Sequence, residues 1–573
     1  MRGRILPPGT MMTMRERAWH AGYDEGVAPS IDYEKVTIPE FFRRTAAAQP
    51  DSIALYFLNA SLTYGELEHE VDGLAAGMAK LGVEPGKRVA IHLPNMPQAV
   101  IAYYAALTLG AEVVLTNPMY TGREIEHQWN DAQCCLAVTT DYLYDQRIRD
   151  RRADLAPETY ILARVPEYLR FPLKWLAPFK LMRQEPPAYA GIEKESGVHV
   201  FRDLIDDSDR KPPRPHIAWD SVAVLQYTGG TTGVSKGAML THKNLAVNVQ
   251  QMDAWFGAAG SDDEVMLVAL PLFHVFGMTV GMNWSVSRGW AMVLLPDPRD
   301  TRRLVQCIEK RRVTILPAVP AIFNALNNYP GIEDIDVSSL KSCISGSAPI
   351  TQEVLERFEE LTGARILEGF GMSETSPVTH VNPHQGERRI GKVGLPIPDT
   401  DAKIVDLDTG LELPPGKEGE LVVRGPQVML GYWNQPEETA RALQDGWLHT
   451  GDLAVMDDAG YFQIVGRKKD MINCRGFKVF PDEVDRVLMG HPAILEAATI
   501  GVPDPVRGET VKSFVVLHPG MEATAEEIQA YARERLAAYK LPRQIEFIPE
   551  LPKSTVLKVL RRELRDRELK KRA

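Results

Sequence analysis

Apolar positions along the first third of the chain switch between a period near 3.6 and a period of two. Ile38-Pro-Glu-Phe-Phe-Arg-Arg-Thr-Ala opens a helix with proline near its start. Residues 54–58 and 62–64, separated by Asn59-Ala60, read as a hairpin. Thr63 sits where it can cap the next helix, with Glu66 three residues on completing a capping box. Residues 88–93 are strand-like, 98–109 helical and rich in Ala and Leu, and 111–115 strand-like again. That β–α–β rhythm predicts a parallel sheet with covering helices and says nothing of function. Further strands are expected at 222–226, 264–270, 340–344, 461–467, 497–502 and 513–517. Helices are expected from Pro481 and over 525–538, with a β-pair turning at Gly476, and the basic tail from Arg561 through Arg572 reads as a solvated helix rather than a nucleic-acid patch.

Composition changes this picture little. At 573 residues the chain exceeds a single core, and 25% charged with 44% hydrophobic residues is ordinary for a globular protein. A formal net charge of −11 argues against nucleic acid as a partner. Cysteines 134, 135, 307, 343 and 474 lack metal-ligand spacing and are expected as free thiols in a reducing compartment. No secretory h-region precedes Lys35, no run of eighteen apolar residues occurs, and methionines 11, 12 and 14 offer later starts. The expected place is the cytoplasm. Residues 156–194 stand apart, because Val165-Pro-Glu-Tyr-Leu-Arg-Phe-Pro-Leu-Lys-Trp-Leu-Ala-Pro-Phe-Lys mixes aromatic and cationic side chains. Such a stretch either packs on its own domain or lies in a bilayer interface at the inner face of the membrane.

Candidate chemistry begins at Thr228-Gly229-Gly230-Thr231-Thr232-Gly233-Val234-Ser235-Lys236, directly after an apolar strand. Glycines let backbone N–H groups approach an anion, the hydroxyls add donors, and Lys236 supplies a point charge. A Walker A loop needs Gly-Lys-Ser/Thr adjacent, but Val234 and Ser235 separate Gly233 from Lys236. Residues 238–245 read as the approach to a helix. His274, between Phe273 and Phe276, is either a core histidine or a site residue. In Glu368-Gly369-Phe370-Gly371-Met372-Ser373-Glu374, Phe370 offers a flat π-face, Ser373 a donor and Glu374 a hard carboxylate oxygen suited to Mg²⁺. Asp452, in Thr450-Gly451-Asp452, can accept two hydroxyls.

These segments, in this order, resemble the signatures of adenylate-forming enzymes, the superfamily of acyl-CoA synthetases, peptide-synthetase adenylation domains and luciferases. The wording from Thr228 to His242 resembles bacterial long-chain fatty-acid–CoA ligases most. The resemblance implies an α/β fold: a large N-terminal region of stacked α/β subdomains, layered sheets with covering helices, plus a small mobile C-terminal α+β domain. The expected division is 1–35 as an extension, 36–466 as the AMP-binding domain and 467–573 as the C-terminal domain. It implies ATP and AMP contacts from 228–236, Gly346, Ser347, Ala348, Pro349, 368–374, Asp452, Ile464, Arg467 and Lys558. An acyl pocket would involve His274, Val275, Phe276, Gly277 and Gly281, and metal would sit at Glu374 and Thr231. Lys469 would be the hinge, CoA would meet Lys469, Arg475, Gly476 and Phe477, and Lys558, Glu374, Thr231 and His274 would be catalytic. Where the superfamily usually has glycine before the terminal lysine, Leu557 stands here, and a leucine resists the backbone conformation glycine allows.

The implied activity is ATP-dependent fatty-acid–CoA ligation using Mg²⁺, ATP and CoA, with peripheral membrane contact and a homodimer as further expectations. Medium-chain, aryl or bile-acid CoA ligation, transfer to a carrier protein, and a catalytically weak acyl- or nucleotide-binding homologue are the competing readings.

Overall fold

The computed structural model describes residues 17–228, 235–257, 263–474, 477–504, 508–554 and 558–572. Two mostly parallel sheets form the bulk. One runs, edge to edge, Val198–Val200, Thr159–Ala163, Leu136–Thr140, Arg88–His92, Glu112–Leu115, Val222–Thr228 and Lys236–Thr241. The other runs Leu395–Pro396, Val378–Val381, Arg365–Gly371, Ser342–Ser345, Ile315–Ala318, Val265–Val268, Ala291–Leu294, Ile53–Phe57 and Ala60–Thr63. The N-terminal hairpin thus joins the second sheet, beside a strand over two hundred residues away, through the parallel pairing of Leu55 with Met292.

Helices Ile38–Ala48, Tyr64–Lys80, Pro97–Thr108 and His242–Phe256 cover these sheets. Pro97–Thr108 is buried at every residue, which its Ala/Leu-rich wording anticipates. The capping box of Thr63 and Glu66 is present, Thr63 N–H donating to Glu66 Oε2 at 2.8 Å and Glu66 N–H to Thr63 Oγ1 at 3.2 Å. One large core joins both sheets and their helices.

An antiparallel sheet follows: Asp401–Val405, Glu418–Arg424, Trp447–Met456 and Leu443–Gln444, with Phe462–Arg467 on the free side of Trp447–Met456. The last sheet comprises Phe477–Val479, Ile472–Cys474, Gly508–Leu517, Ile494–Asp504 and Gln544–Phe547, with its own smaller cores. Mixed α/β layers with a small C-terminal unit agree with the fold class read from sequence. Residues 238–245 lead into a helix as expected, since it begins at His242 capped by Thr241, although 236–241 are themselves a strand. Two local readings change. Within 156–194, Thr159–Ala163 is an interior strand, so only the part after Ala163 leaves the sheet. The basic tail Arg561–Arg572 is helical as expected but docked, with Leu564 fully buried. None of the five cysteines, all among the described residues, forms a disulfide.

Candidate active site

Parallel pairing gathers the sequence motifs at one edge. Ile315–Ala318, Ser342–Ser345 and Arg365–Glu368 run in register, residue against residue, and Val265–Val268 runs parallel beside them. The segments that follow their C-terminal ends, 269–278, 346–349 and 369–375, must emerge side by side. The crevice beyond the carboxyl ends of parallel strands is where open α/β sheets hold ligands.

Gly346 belongs there because a Cβ would lie 2.9 Å from the Phe276 ring, so the Gly-Ser-Ala-Pro turn rests on that aromatic. Ser347, at φ 70°, and its neighbours Ala348 and Pro349 are exposed at the strand end, while Ser345 Oγ is buried without a hydrogen-bond partner among the described residues. His274 is half-buried. Its Nδ1 accepts the Phe276 N–H at 3.3 Å, which leaves the proton on Nε2. Burial, with the Lys558 ammonium adding, holds its pKa near 4, so the ring is neutral at pH 7. Val275 is buried, and 277–283 form a π-helical turn, buried throughout. Gly277 answers to packing, since a Cβ would stand 2.2 Å from the Pro271 carbonyl oxygen; Gly281 meets only ordinary contacts.

Arg365–Gly371 delivers the second motif. Glu368 is buried, its Oε2 accepts the Gly391 N–H at 2.8 Å, and burial lifts its pKa to about 7. Gly369 and Phe370 are half-exposed, and Phe370 meets His380 edge to face at 6.0 Å. A Cβ on Gly371 would lie 2.1 Å from the Pro377 carbonyl, so only glycine permits the turn through Met372 and Ser373. Glu374 ends that turn buried; its Oε1 accepts the Tyr432 hydroxyl at 2.7 Å, and burial raises its pKa.

Tyr432 links this carboxylate to the Gly/Thr segment. Its residue bridges Ala238, and the Lys236 ammonium stands 5.3 Å from its ring while pairing with Glu438. Thr228 pairs with Lys236 across an antiparallel hairpin. Ser235 Oγ donates to the Thr228 carbonyl at 2.6 Å, and His127 meets the Ser235 carbonyl at 2.9 Å. Gly229, Gly230, Thr231, Thr232, Gly233 and Val234 lie outside the described residues, but both strands that flank them contact the Ser373–Thr375 turn.

The antiparallel sheet brings the remaining charges. Asp452 and Arg467 are direct partners on neighbouring strands, Arg467 Nε lying 2.9 Å from Asp452 Oδ1. Asp452 Oδ2 is buried and has no hydrogen-bond partner among the described residues. Burial raises the Asp452 pKa against the opposing pull of Arg467, Lys558 and Lys469, while Glu374 feels both Arg467 and Asp452. Ile464 is half-buried on the same strand as Arg467. Lys469 is exposed two residues past Arg467. The Lys558 N–H donates to Ser554 Oγ at 3.2 Å, and its carbonyl accepts the Ser554 N–H at 2.8 Å. Burial lowers the Lys558 pKa to about 8, Arg467 adding to the shift and Asp452 opposing it. Glu374, Asp452, Arg467, Lys558 and His274 therefore form one electrostatic group. Arg475, Gly476 and Leu557 lie outside the described residues, as does the Phe477 side chain.

Sequence reasoning missed Tyr432, whose signal was the Tyr-Trp doublet after Gly431, and the charges behind Lys558. There, Arg561 Nη2 pairs with Asp482 and, at 2.5 Å, with Asp485, while Arg565 reaches Asp470 at 3.2 Å. The signal was Asp482 and Asp485 three apart at a helix start.

A crevice of this kind, with an aromatic face, an unpartnered buried carboxylate oxygen and converging cations, suits a nucleotide. The chain matches the AMP-binding enzyme family over residues 42–433 and the AMP-binding enzyme C-terminal domain over 483–558, and it belongs to that family. Among its relatives is a long-chain-fatty-acid–CoA ligase of Bacillus subtilis, 42% identical over 96% of this chain and 98% of its own length. Another, of Escherichia coli O6:H1, is 38% identical over the same shares. The anthranilate CoA ligase AuaEII, solved with anthranoyl-AMP, superposes with a TM-score of 0.83 at 26% identity, covering 94% of this chain and 98% of that one.

Proposed function

We propose that the protein is an ATP-dependent long-chain-fatty-acid–CoA ligase, which activates a carboxylic acid as acyl-AMP, releases pyrophosphate and passes the acyl group to CoA. The observation that carries this reading is the buried Asp452 Oδ2, without a hydrogen-bond partner among the described residues, beside Arg467 and Lys558. A ribose hydroxyl donating to that oxygen would relieve the cost of leaving a buried acceptor unpaired.

A carboxylate is a poor acylating agent until its oxygen becomes a good leaving group. The substrate carboxylate attacks the α-phosphorus, the bond to pyrophosphate breaks, and negative charge grows on the phosphoryl oxygens. Lys558 and Arg467 stand ready to neutralise it in a site that excludes much of the water. Neutral His274 can donate from Nε2 to the carboxylate without competing as a base. Phe370 and the 346–349 turn supply surfaces for the purine. Backbone and hydroxyl groups of 228–236 would take the leaving phosphates, in a role where Lys236 must first exchange Glu438 for a phosphate.

Mg²⁺ fits this set. The buried Glu374 carboxylate offers one hard oxygen, and with Thr231 as the expected second ligand and substrate oxygens completing the set it suits an ion that takes few protein ligands. When bound, the ion supplies positive charge at the phosphates.

In the second half-reaction the CoA thiolate displaces AMP. One lysine cannot serve the first half-reaction and then make way for pantetheine without movement, so the C-terminal domain, 467–573, would turn about Lys469 relative to 36–466. That rotation brings 475–477 to the crevice. The protein works in the cytoplasm, at or near the inner face of a membrane.

Pyrophosphate release with palmitate, octanoate and benzoate, each with and without CoA, tests the reading. Sustained turnover that requires CoA and rises with chain length is expected. Preference for benzoate would support the aryl reading, which the anthranilate ligase likeness favours; no release with any acid would overturn ligation altogether.

A further inference from the structure

Fourteen large hydrophobic side chains stand exposed among the described residues, and six of them fall between 171 and 182. They are Phe171, Leu173, Trp175, Leu176, Phe179 and Met182, with Phe171 81%, Trp175 73% and Phe179 62% exposed. The helix Leu173–Met182 that carries most of them buries no residue at all. Trp175, Phe179 and Met182, spaced four and three apart, share one face. Ala177, Pro178 and Leu181 are the half-buried side, turned to the protein body.

This is a held surface rather than a loose loop. Just before the helix, Tyr168 bonds to Glu70, which also takes Arg202 at 2.7 Å. Gln98 Nε2 donates to Glu167 Oε2 and to the Arg164 carbonyl, both at 2.8 Å. Asn59, in the N-terminal hairpin turn, clasps the Arg170 backbone, donating to its carbonyl at 3.1 Å and accepting its N–H at 3.2 Å. The aromatic face is therefore presented in a fixed attitude.

Charge identifies the occupant. Arg170, Lys174, Lys180 and Arg183 are all exposed around the apolar face, and no acidic residue lies between Glu167 and Glu185, on a chain whose formal net charge is −11. Cations flanking a Trp/Phe ridge suit the boundary of a bilayer that carries anionic headgroups.

We infer that residues 170–183 form a monotopic lipid-docking surface for anionic membranes. The aromatic ridge enters the headgroup boundary, and the four cations hold headgroup phosphates. Each cation near such a surface contributes roughly fivefold to partitioning, several hundred-fold for four at low salt. The helix Leu173–Met182 has ten residues, about half of what crosses a bilayer, so the contact lies in the plane of the surface. The docking is separate from turnover and stands or falls apart from the ligase reading.

Flotation of the full chain with phosphatidylcholine vesicles, with and without 30% phosphatidylglycerol, is the test. Binding only to the anionic vesicles is expected, weakened at least tenfold by 0.5 M NaCl, with a blue shift of Trp emission. Phe171→Ser/Trp175→Ser/Phe179→Ser and, separately, Lys174→Glu/Lys180→Glu should each reduce binding at least tenfold while circular dichroism and melting temperature stay unchanged. Wild-type protein that ignores both vesicles, or variants that bind as well as wild type, would overturn the inference. So would a wild-type dimer in sedimentation velocity that the triple serine variant disperses, because the face would then cover a second copy of the chain.

Discussion

Lys558 offers the sharpest test of the site, because its charge is set by its surroundings. Taking the ammonium out of water moves its pKa from 10.5 to about 8. That displacement corresponds to on the order of 3 kcal/mol against the charged form in the empty site. The pH dependence of kcat/KM for the adenylation half-reaction, read as pyrophosphate release in the first turnover without CoA, reports groups of the free enzyme. The rate should stay level below about pH 7 and fall about tenfold between pH 7 and pH 9, where an ordinary lysine would leave it nearly unchanged. Lys558→Arg, charged throughout, should lose that alkaline limb. Asp452→Asn removes the carboxylate that supports the ammonium and should move the limb to lower pH. Lys558→Ala should slow adenylation by about 10²–10³ but spare thioester formation from supplied acyl-adenylate. The same burial predicts the opposite trend in stability. The folded pKa lies below the unfolded value, so the ligand-free protein carries a penalty at pH 7 that is relieved as pH rises from about 8 to 10.5. A flat rate profile to pH 10, or an identical limb in Lys558→Arg, would refute the electrostatic reasoning.

Arg561→Met leaves the buried Asp485 and the half-buried Asp482 without their cation, and chemical denaturation of the C-terminal unit should show a loss of about 3–5 kcal/mol. Arg561 also depresses the Lys558 pKa, so the alkaline limb should move upward in that variant and return toward wild type in Arg561→Lys. Tyr432→Phe takes the 2.7 Å hydrogen bond from Glu374, which should favour the protonated acid and raise the Mg²⁺ concentration for half-maximal adenylation about tenfold. Gly277→Ala must displace the Pro271 carbonyl, and thermal melting should register about 1–3 kcal/mol of destabilisation. Lys469→Pro should leave adenylation intact and abolish thioester formation in paired half-reaction assays; equal loss in both would sink the hinge.

What the sequence made legible were features decided locally. Thr63 and Glu66 announce a cap because three residues suffice to form it, and Pro97–Thr108 announces its burial by composition. The motifs after Leu270, Ser345 and Glu368 were each readable, but their meeting depends on parallel register between strands far apart in sequence, which no local pattern states. The helix after Thr241 was legible from its cap, but the strand 236–241 before it was not, because it owes its place to Val222–Thr228 and to Tyr432. Arg561–Arg572 looked like a solvated helix because charges dominate it. Its partners Asp482 and Asp485 lie on another element, so the docked face was invisible in one dimension.

The outer strand of the seven-stranded sheet has a consequence for synthesis. Lys236–Thr241 is covered on its open side by residues 430–433, through Met239 and Gly431 and through Ala238 and Tyr432. Some 190 residues separate the strand from its cover, so at ribosomal speeds the edge waits roughly ten to forty seconds for it. During that interval a nascent chain exposes unpaired backbone to its neighbours on a polysome. Chains truncated before residue 430 should therefore aggregate, while chains that extend past residue 433 should remain dispersed.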